Sequence, residues 1–134
     1  MLNQRLMVSA LIKRGEKYLL LKRGGTTKLY RGQWQFPEGG VKFGESPFTA
    51  LKREIKEETK LELKDAKYLG NISSVLKEFK MELWHFVRMV YRCEVKGKVK
   101  LSRKHKEYKW VEKKDMEKLE LLKGMEFKDM KKFL

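Results

Sequence analysis

Cysteine is nearly absent from the 134 residues, with Cys93 standing alone. An internal disulfide is therefore impossible, every multi-cysteine zinc site is excluded, and a reducing, cytoplasmic compartment is expected. No run approaches the ~20 apolar residues that a membrane helix needs, so no membrane partner is expected. The opening MLNQRLMVSALIKRG is basic and partly apolar, but Lys13 and Arg14 end its apolar run. It lacks a small-residue cleavage site and reads as a strand, not a signal peptide. Acidic residues are scarce relative to basic ones: 18 Asp and Glu face 33 Lys and Arg, for a net charge of +15. That excess attracts polyanions such as nucleotides and RNA ends, and lysines spread over a surface also keep a protein in solution. Only two Asn and three Gln accompany the many Lys and Glu residues, a balance common in thermophilic proteins. There is no RNP, KH or zinc-knuckle pattern, no internal repeat and no linker. The length suits one domain over residues 1–134.

What is present alternates between strands and helices. Arg5 to Lys13 places Leu6, Val8, Ala10 and Ile12 on one face, and Lys17 to Arg23 reads as its neighbour across a tight turn at Gly15. The loop GGTTKLYRGQ lacks P-loop spacing. After it come the short segment Trp34 to Pro37 and a glycine loop. Two further strands are expected, Ala66 to Val75 and Met81 to Val95. The second places Leu83, Val87, Met89, Tyr91, Cys93 and Val95 on one face, with His85 as a sheet residue. Glu107 to Val111 is a short last strand, with His105 before it on the surface. Two amphipathic helical pieces, Lys113 to Leu122 and Glu126 to Phe133, flank Gly124 as a C-cap. They either cap the core or form a dimer surface. This order suggests an α/β protein with a mixed sheet covered on both faces.

The central helix has clear punctuation. Ser46 is a good N-cap and Pro47 occupies the first helical position, where its missing N–H costs nothing. Phe48, Leu51 and Ile55 form a stripe to bury, and the helix should run to about Lys60. Glu54, Glu57 and Glu58 stand at i, i+3 and i+4 and so project from one side. Three anions in the C-terminal half oppose both one another and the helix dipole. Two readings resolve the conflict. One is a solvated face neutralised by Lys52, Arg53, Lys56 and Lys60; the other is a hard divalent cation, which prefers carboxylate oxygens supplemented by water and phosphate.

Spacing favours the cation. Gly39, Glu45, Arg53, Glu54, Ile55, Glu57, Glu58 and Leu61 fit the pattern Gly-x5-Glu-x7-Arg-Glu-hydrophobic-x-Glu-Glu-x-Gly-hydrophobic. The segment resembles the signature of the Nudix hydrolase family. The one departure is Lys60, where the family has glycine. A left-handed helix end there would cost lysine about 1 kcal/mol. The resemblance implies a Nudix-like α/β/α sandwich and hydrolysis of a phosphoanhydride bond with Mg²⁺, for which Mn²⁺ can substitute. Glu57 and Glu58 would be the principal metal ligands, with Glu54 a further ligand or the base. Glu45 and the Gly39 carbonyl would support the metal, and Arg53 would orient the glutamates. Outside the box Glu107 is the candidate base, although Lys104 stands where some relatives have another glutamate.

The string Trp34-Gln35-Phe36-Pro37-Glu38-Gly39-Gly40 resembles the branch that acts on dinucleoside polyphosphates and RNA 5′ ends. A house-cleaning nucleoside triphosphate pyrophosphatase, including one for oxidised guanine nucleotides, is the alternative within the family. A Nudix module that binds nucleotide or RNA without cleaving it is the alternative outside catalysis. Tyr30 and Trp34 are candidates to stack on a base, as are Phe43, Trp84 and Tyr108, and Gly40 would let a phosphate approach the backbone. The expected partner is a nucleotide or an RNA 5′ end, bound by a monomer or homodimer.

Overall fold

The computed structural model describes residues 3–77 and 82–134. In chain order it contains β1 (Asn3–Arg14), β2 (Lys17–Arg23), β3 (Trp34–Gln35), β4 (Glu38–Gly40), α1 (Pro47–Thr59), β5 (Glu62–Lys77), β6 (Leu83–Lys96), β7 (His105–Glu112), α2 (Lys113–Met116) and α3 (Phe127–Met130), closed by a 3-10 turn at Lys131–Phe133. Met81, expected to begin the sixth strand, lies outside the described residues.

β1 is the hub. It runs parallel to β6, from Asn3 opposite Trp84 to Ile12 opposite Cys93, and antiparallel to β4, with Val8 opposite Gly39. Gly15, at φ 59°, turns it into β2. β6 pairs with β5, and β2 pairs with both β3 and β7. The outcome is one mixed seven-stranded sheet. Period-two alternation sorts its side chains. Val8, Ala10, Ile12, Leu19 and Leu21 pack with Ala50, Leu51 and Ile55 of α1. Leu11, Tyr18 and Leu20 point the other way, into a second core closed by Met116, Leu121, Met125 and Met130. Helical layers on both faces make this the expected α/β/α sandwich. Cys93 is 1% exposed, and burial pushes its thiol up to about 12, as suits an inert core residue.

Several elements depart from expectation. Glu38, Gly39 and Gly40 form a strand paired to β1 and not a free glycine loop. The first tail helix stops at Met116, and Gly124 caps no helix. The reason is a backbone exchange with β3: the Trp34 amide donates to the Glu120 carbonyl and the Leu122 amide to the Trp34 carbonyl, each at 2.8 Å. A chain bonded sideways to a strand cannot also bond to itself as a helix. The tail caps the core, with Met125 and Met130 buried. Phe48 is 49% exposed and Leu6 41%, because burial along α1 begins only at Ala50 and the start of β1 lies beyond the helix-covered region.

α1 starts as the punctuation demands, with the Ser46 hydroxyl accepting from the Thr49 amide at 3.1 Å and Pro47 at its first position. It ends at Lys60, whose φ of 63° is left-handed, with its amide bonded to the Lys56 carbonyl. A non-glycine residue there is strained by about 1–2 kcal/mol, part of which glycine would return as unfolded-state entropy. Lys60→Gly should therefore raise unfolding free energy by roughly 1 kcal/mol, seen as a higher urea midpoint at unchanged slope. An unchanged midpoint would show that the helix end carries no strain.

Candidate metal and nucleotide site

Arg53 organises the acidic face of α1. Its Nε and Nη2 donate to the two Glu45 carboxylate oxygens at 2.8 Å each, a bidentate pair. Nη1 donates to Glu54 at 2.6 Å and stands 3.5 Å from Glu57, and Nη2 also reaches the Gly40 carbonyl at 2.9 Å. The Arg53 guanidinium, helped by the Lys42 amide, holds the Glu45 carboxyl down to about 2. Both Glu45 oxygens are thus committed to orienting Arg53.

Glu54 and Glu58 are the buried members. Glu54 lies so close over Gly39 that a Cβ on that residue would sit 1.9 Å from its carboxyl carbon, which explains the glycine. Burial raises the Glu54 carboxyl, and its hydrogen bond to Arg53 only partly opposes this. Glu58 accepts from the Glu38 amide at 3.0 Å through Oε1. Burial, reinforced by the negative charge of Glu54, lifts its carboxyl well above the usual range. Glu57 is the outward member, with a side chain 52% exposed. Sequence reading thus brought together Glu45, Arg53, Glu54, Glu57, Glu58, Gly39 and Gly40, and the fold does gather them.

This donor set fits a hard cation. Burial disfavours the ionised forms of two carboxylates: Arg53 offsets this only partly at Glu54, and Glu58 has no Lys or Arg within ion-pair distance among the described residues, while an exposed third stands beside them. Among the described residues no three His, Cys, Asp or Glu side chains form a ready-made cage. The oxygen-only donors of α1 are of the kind that hard divalent cations prefer. Adding Mg²⁺ to the chelated protein should release protons between the ordinary carboxylate range and the raised Glu58 value, because the ligand must ionise to bind. Titration calorimetry in two buffers of different ionisation enthalpy reads this directly. Equal heats would contradict it.

Other residues fall elsewhere. Glu107 is exposed on β7 opposite Lys22, whose ammonium lies over the Trp34 ring at 5.6 Å. Among the described residues it makes no hydrogen bond or ion pair with the α1 glutamates. Trp34 is core, 6% exposed. Phe43 and Tyr108 are exposed. Tyr30 and Trp84 do line a cavity of about 260 Å³, together with Arg5, Glu38, Phe86 and Arg88. There the Trp84 and Phe86 rings stack at 6.0 Å, and the Arg88 guanidinium lies 4.9 Å from the centre of Phe86. Glu38 links cavity and metal face: its side chain lines one, and its amide holds Glu58 of the other.

Two buried polar features are not foreseen from the sequence. Arg88 donates to Glu38 at 2.9 Å, Ser9 donates to the same oxygen at 3.2 Å, and Arg88 reaches Ser74 at 3.3 Å, forming a buried polar network. Arg88 shares its phase of β6 with the apolar Trp84, Phe86 and Val90, but its own charge reads as solvent-facing until the tail is known to cover that face. His105, expected on the surface, is 7% exposed, with Nε2 3.9 Å from Glu58 Oε2. Burial, with the charges of Arg23 and Lys104, lowers its imidazole to about 4, so it is neutral near pH 7.

The Nudix domain model matches residues 3–133. The chain belongs to the Nudix family. Its fold is that of solved Nudix hydrolases. A MutT protein from Methanosarcina mazei Go1 shares 27% identity over 98% of this chain and 94% of its own, with a TM-score of 0.82. A MutT Nudix hydrolase from Burkholderia pseudomallei shares 26% over 84% and 85%, at 0.74. An Ap4A hydrolase from C. elegans shares the fold at 23% identity, covering 96% of this chain and 94% of its own, with a TM-score of 0.71. Among the described residues no helix is long and apolar enough to cross a membrane.

Proposed function

We propose that this Nudix chain is a Mg²⁺- or Mn²⁺-dependent hydrolase of a phosphoanhydride bond in a nucleoside polyphosphate, with dinucleoside polyphosphates or nucleoside triphosphates as favoured substrates. The observation that carries it is the triad Glu54, Glu57 and Glu58, with Arg53 bracing the first two and Glu38 joining the third to a cavity with stacked aromatic rings. A binding module without catalysis would have little use for a buried Glu58 with no Lys or Arg within ion-pair distance among the described residues, beside a Glu54 whose burial Arg53 only partly offsets. Glu57 and Glu58 would hold the metal, with Glu54, the Gly39 carbonyl and Glu45 in support. The bound ion would neutralise the diphosphate, lower the pKa of a water and stabilise the leaving phosphate. A water oxygen bonds to phosphorus as the bridging P–O bond breaks, and the water proton passes to a carboxylate. Glu54 is the base favoured by position, inside the cluster; Glu107 is the outside candidate.

Charge supports a phosphate-rich substrate. Between Glu16 and Glu38 the chain has Lys17, Lys22, Arg23, Lys28 and Arg31 and no acid; between Glu94 and Glu107 it has Lys96, Lys98, Lys100, Arg103, Lys104 and Lys106 and no acid. The fold fastens these segments together beside Glu58: the Thr26 amide donates to the Arg103 carbonyl at 3.0 Å, and a Cβ on Gly25 would meet that carbonyl at 2.1 Å. Among the described residues Lys28, Arg103, Lys104 and Lys106 have no carboxylate within ion-pair distance. Such a rim concentrates anions at the site.

The test is a side-by-side panel of diadenosine tetraphosphate, nucleoside triphosphates including an oxidised guanine nucleotide, ADP-ribose and 5′-triphosphate RNA. Metal-dependent phosphate or pyrophosphate release is expected, with the highest kcat/KM on a polyphosphate. Undiminished turnover in chelator, or none on any substrate, would overturn the proposal. A decisive preference for the oxidised nucleotide would favour the house-cleaning role, and one for RNA the end-processing role.

A further inference from the structure

His105 is buried where expectation put a surface residue, and nothing in the proposed reaction uses it. Its placement is built by the fold. The segment before β7 is strapped to the C-terminal end of α1: the Lys100 amide donates to the Thr59 carbonyl at 2.8 Å and the Ser102 amide to the Glu58 carbonyl at 3.3 Å. A register shift in the β2–β7 ladder between Lys22 and Arg23 then separates the pairing of Glu107 from that of His105. Glu107 stays beside Lys22, while His105 reaches Glu58, with side chains 3% and 5% exposed and Nε2 3.9 Å from Oε2.

Glu58 therefore has a different neighbour at each oxygen: the Glu38 amide at Oε1, and the His105 imidazole at Oε2. The ring can present either a donor or a lone pair to that carboxylate. His105 Nδ1 is buried without a hydrogen-bond partner. A proton on Nδ1 would be a buried, unsatisfied donor and would leave the Nε2 lone pair facing the carboxylate, both unfavourable. The proton therefore belongs on Nε2, directed at Glu58. We propose that His105 is a positioning residue for Glu58, closing an Nε2–H···Oε2 hydrogen bond that fixes the carboxylate for metal binding. The bond shortens by about 1 Å from the 3.9 Å seen here. This inference rests on the metal-site reading above and adds the group that orients its buried ligand.

The test replaces His105 by Leu, which fills the space without a donor, and by Gln, whose Nε2 amide can donate at similar reach. Mn²⁺ affinity is measured by electron paramagnetic resonance, alongside kcat and the melting temperature of the chelated protein. His105→Leu should weaken Mn²⁺ binding and lower kcat, each about 10- to 100-fold, as loss of a ligand-orienting partner does elsewhere. It should leave the chelated melting temperature unchanged or higher, because a buried unpartnered nitrogen has gone. His105→Gln should recover most of both losses. Unaltered Mn²⁺ affinity in His105→Leu would overturn the proposal. So would equal losses in both variants in step with a lower melting temperature, which would mark a purely structural residue. If the unaltered chain bound no Mn²⁺, the metal-site reading itself would fall and this inference with it. If that chain bound Mn²⁺ but hydrolysed nothing, the hydrolase reading would fall, while the Mn²⁺ affinities of the two variants would still decide whether His105 positions Glu58.

Discussion

Glu58→Gln should lower kcat by at least about 100-fold while leaving the protein folded. The substitution keeps the shape of the side chain and leaves an oxygen to accept from the Glu38 amide, which now lies at 3.0 Å from Oε1. What it removes is the negative charge. In the metal-free fold that charge is a burden, since burial already pushes the Glu58 carboxyl well above the usual range. A group whose folded pKa is raised costs stability as pH rises from its unfolded value through the folded one. The chelated variant should therefore melt at the same temperature or higher near pH 8, and the gain should vanish near pH 4. Losing activity while gaining stability separates a functional charge from a structural one. Glu57→Gln, at the half-exposed member of the cluster, should lose activity comparably. Wild-type turnover in either variant would remove the metal-site mechanism.

The second large effect concerns stability. Glu38 and Arg88 form an ion pair at 2.9 Å with side chains 7% and 4% exposed. Truncating one partner leaves the other charge buried without its counter-ion, at a cost of about 3–5 kcal/mol. Arg88→Met should thus lower the urea midpoint steeply, and Glu38→Leu should do the same. The double variant should recover much of the loss, because an apolar pair of similar volume needs no counter-charge. Additive losses in that cycle, or less than about 1 kcal/mol from Arg88→Met, would mean the pair is hydrated and of little weight. Since Glu38 also holds Glu58 through its amide, activity should fall in the single variants beyond what the unfolded fraction explains.

These two sites differ in how visible they were in the sequence. The glutamates of α1, their spacing, the Ser46-Pro47 start and the anomalous Lys60 all depend on residues within a few positions of one another, so local rules reach them. Arg88 and Ser9 look like ordinary polar positions of alternating strands. Their burial follows from the tail covering the second face of the sheet, of which the only local signs are the apolar Trp84, Phe86 and Val90 in phase with Arg88 and Leu11 in phase with Ser9. The tail pattern predicts longer helices than the fold contains, because its pairing partner, Trp34, lies far upstream. His105 and Glu107 show the finest case: a single register shift in β7 decides which of the two meets the glutamates, and such a shift leaves no mark in the pattern of residue types.

The parallel pairing of β1 with β6 bears on how the protein comes into being. Asn3 lies opposite Trp84 and Ile12 opposite Cys93, so the hub strand cannot find its central neighbour until most of the chain exists. Contacts of such long sequence separation pay their loop-closure entropy first and form late. On the ribosome β1 emerges early and waits, paired at most with β2 and the short β4 (Val8 opposite Gly39). The α1 glutamates are synthesised well before His105 and the basic segment that faces them. The half-made chain can therefore expose the acidic helix, but the assembled site appears only once the chain through β7 has been made.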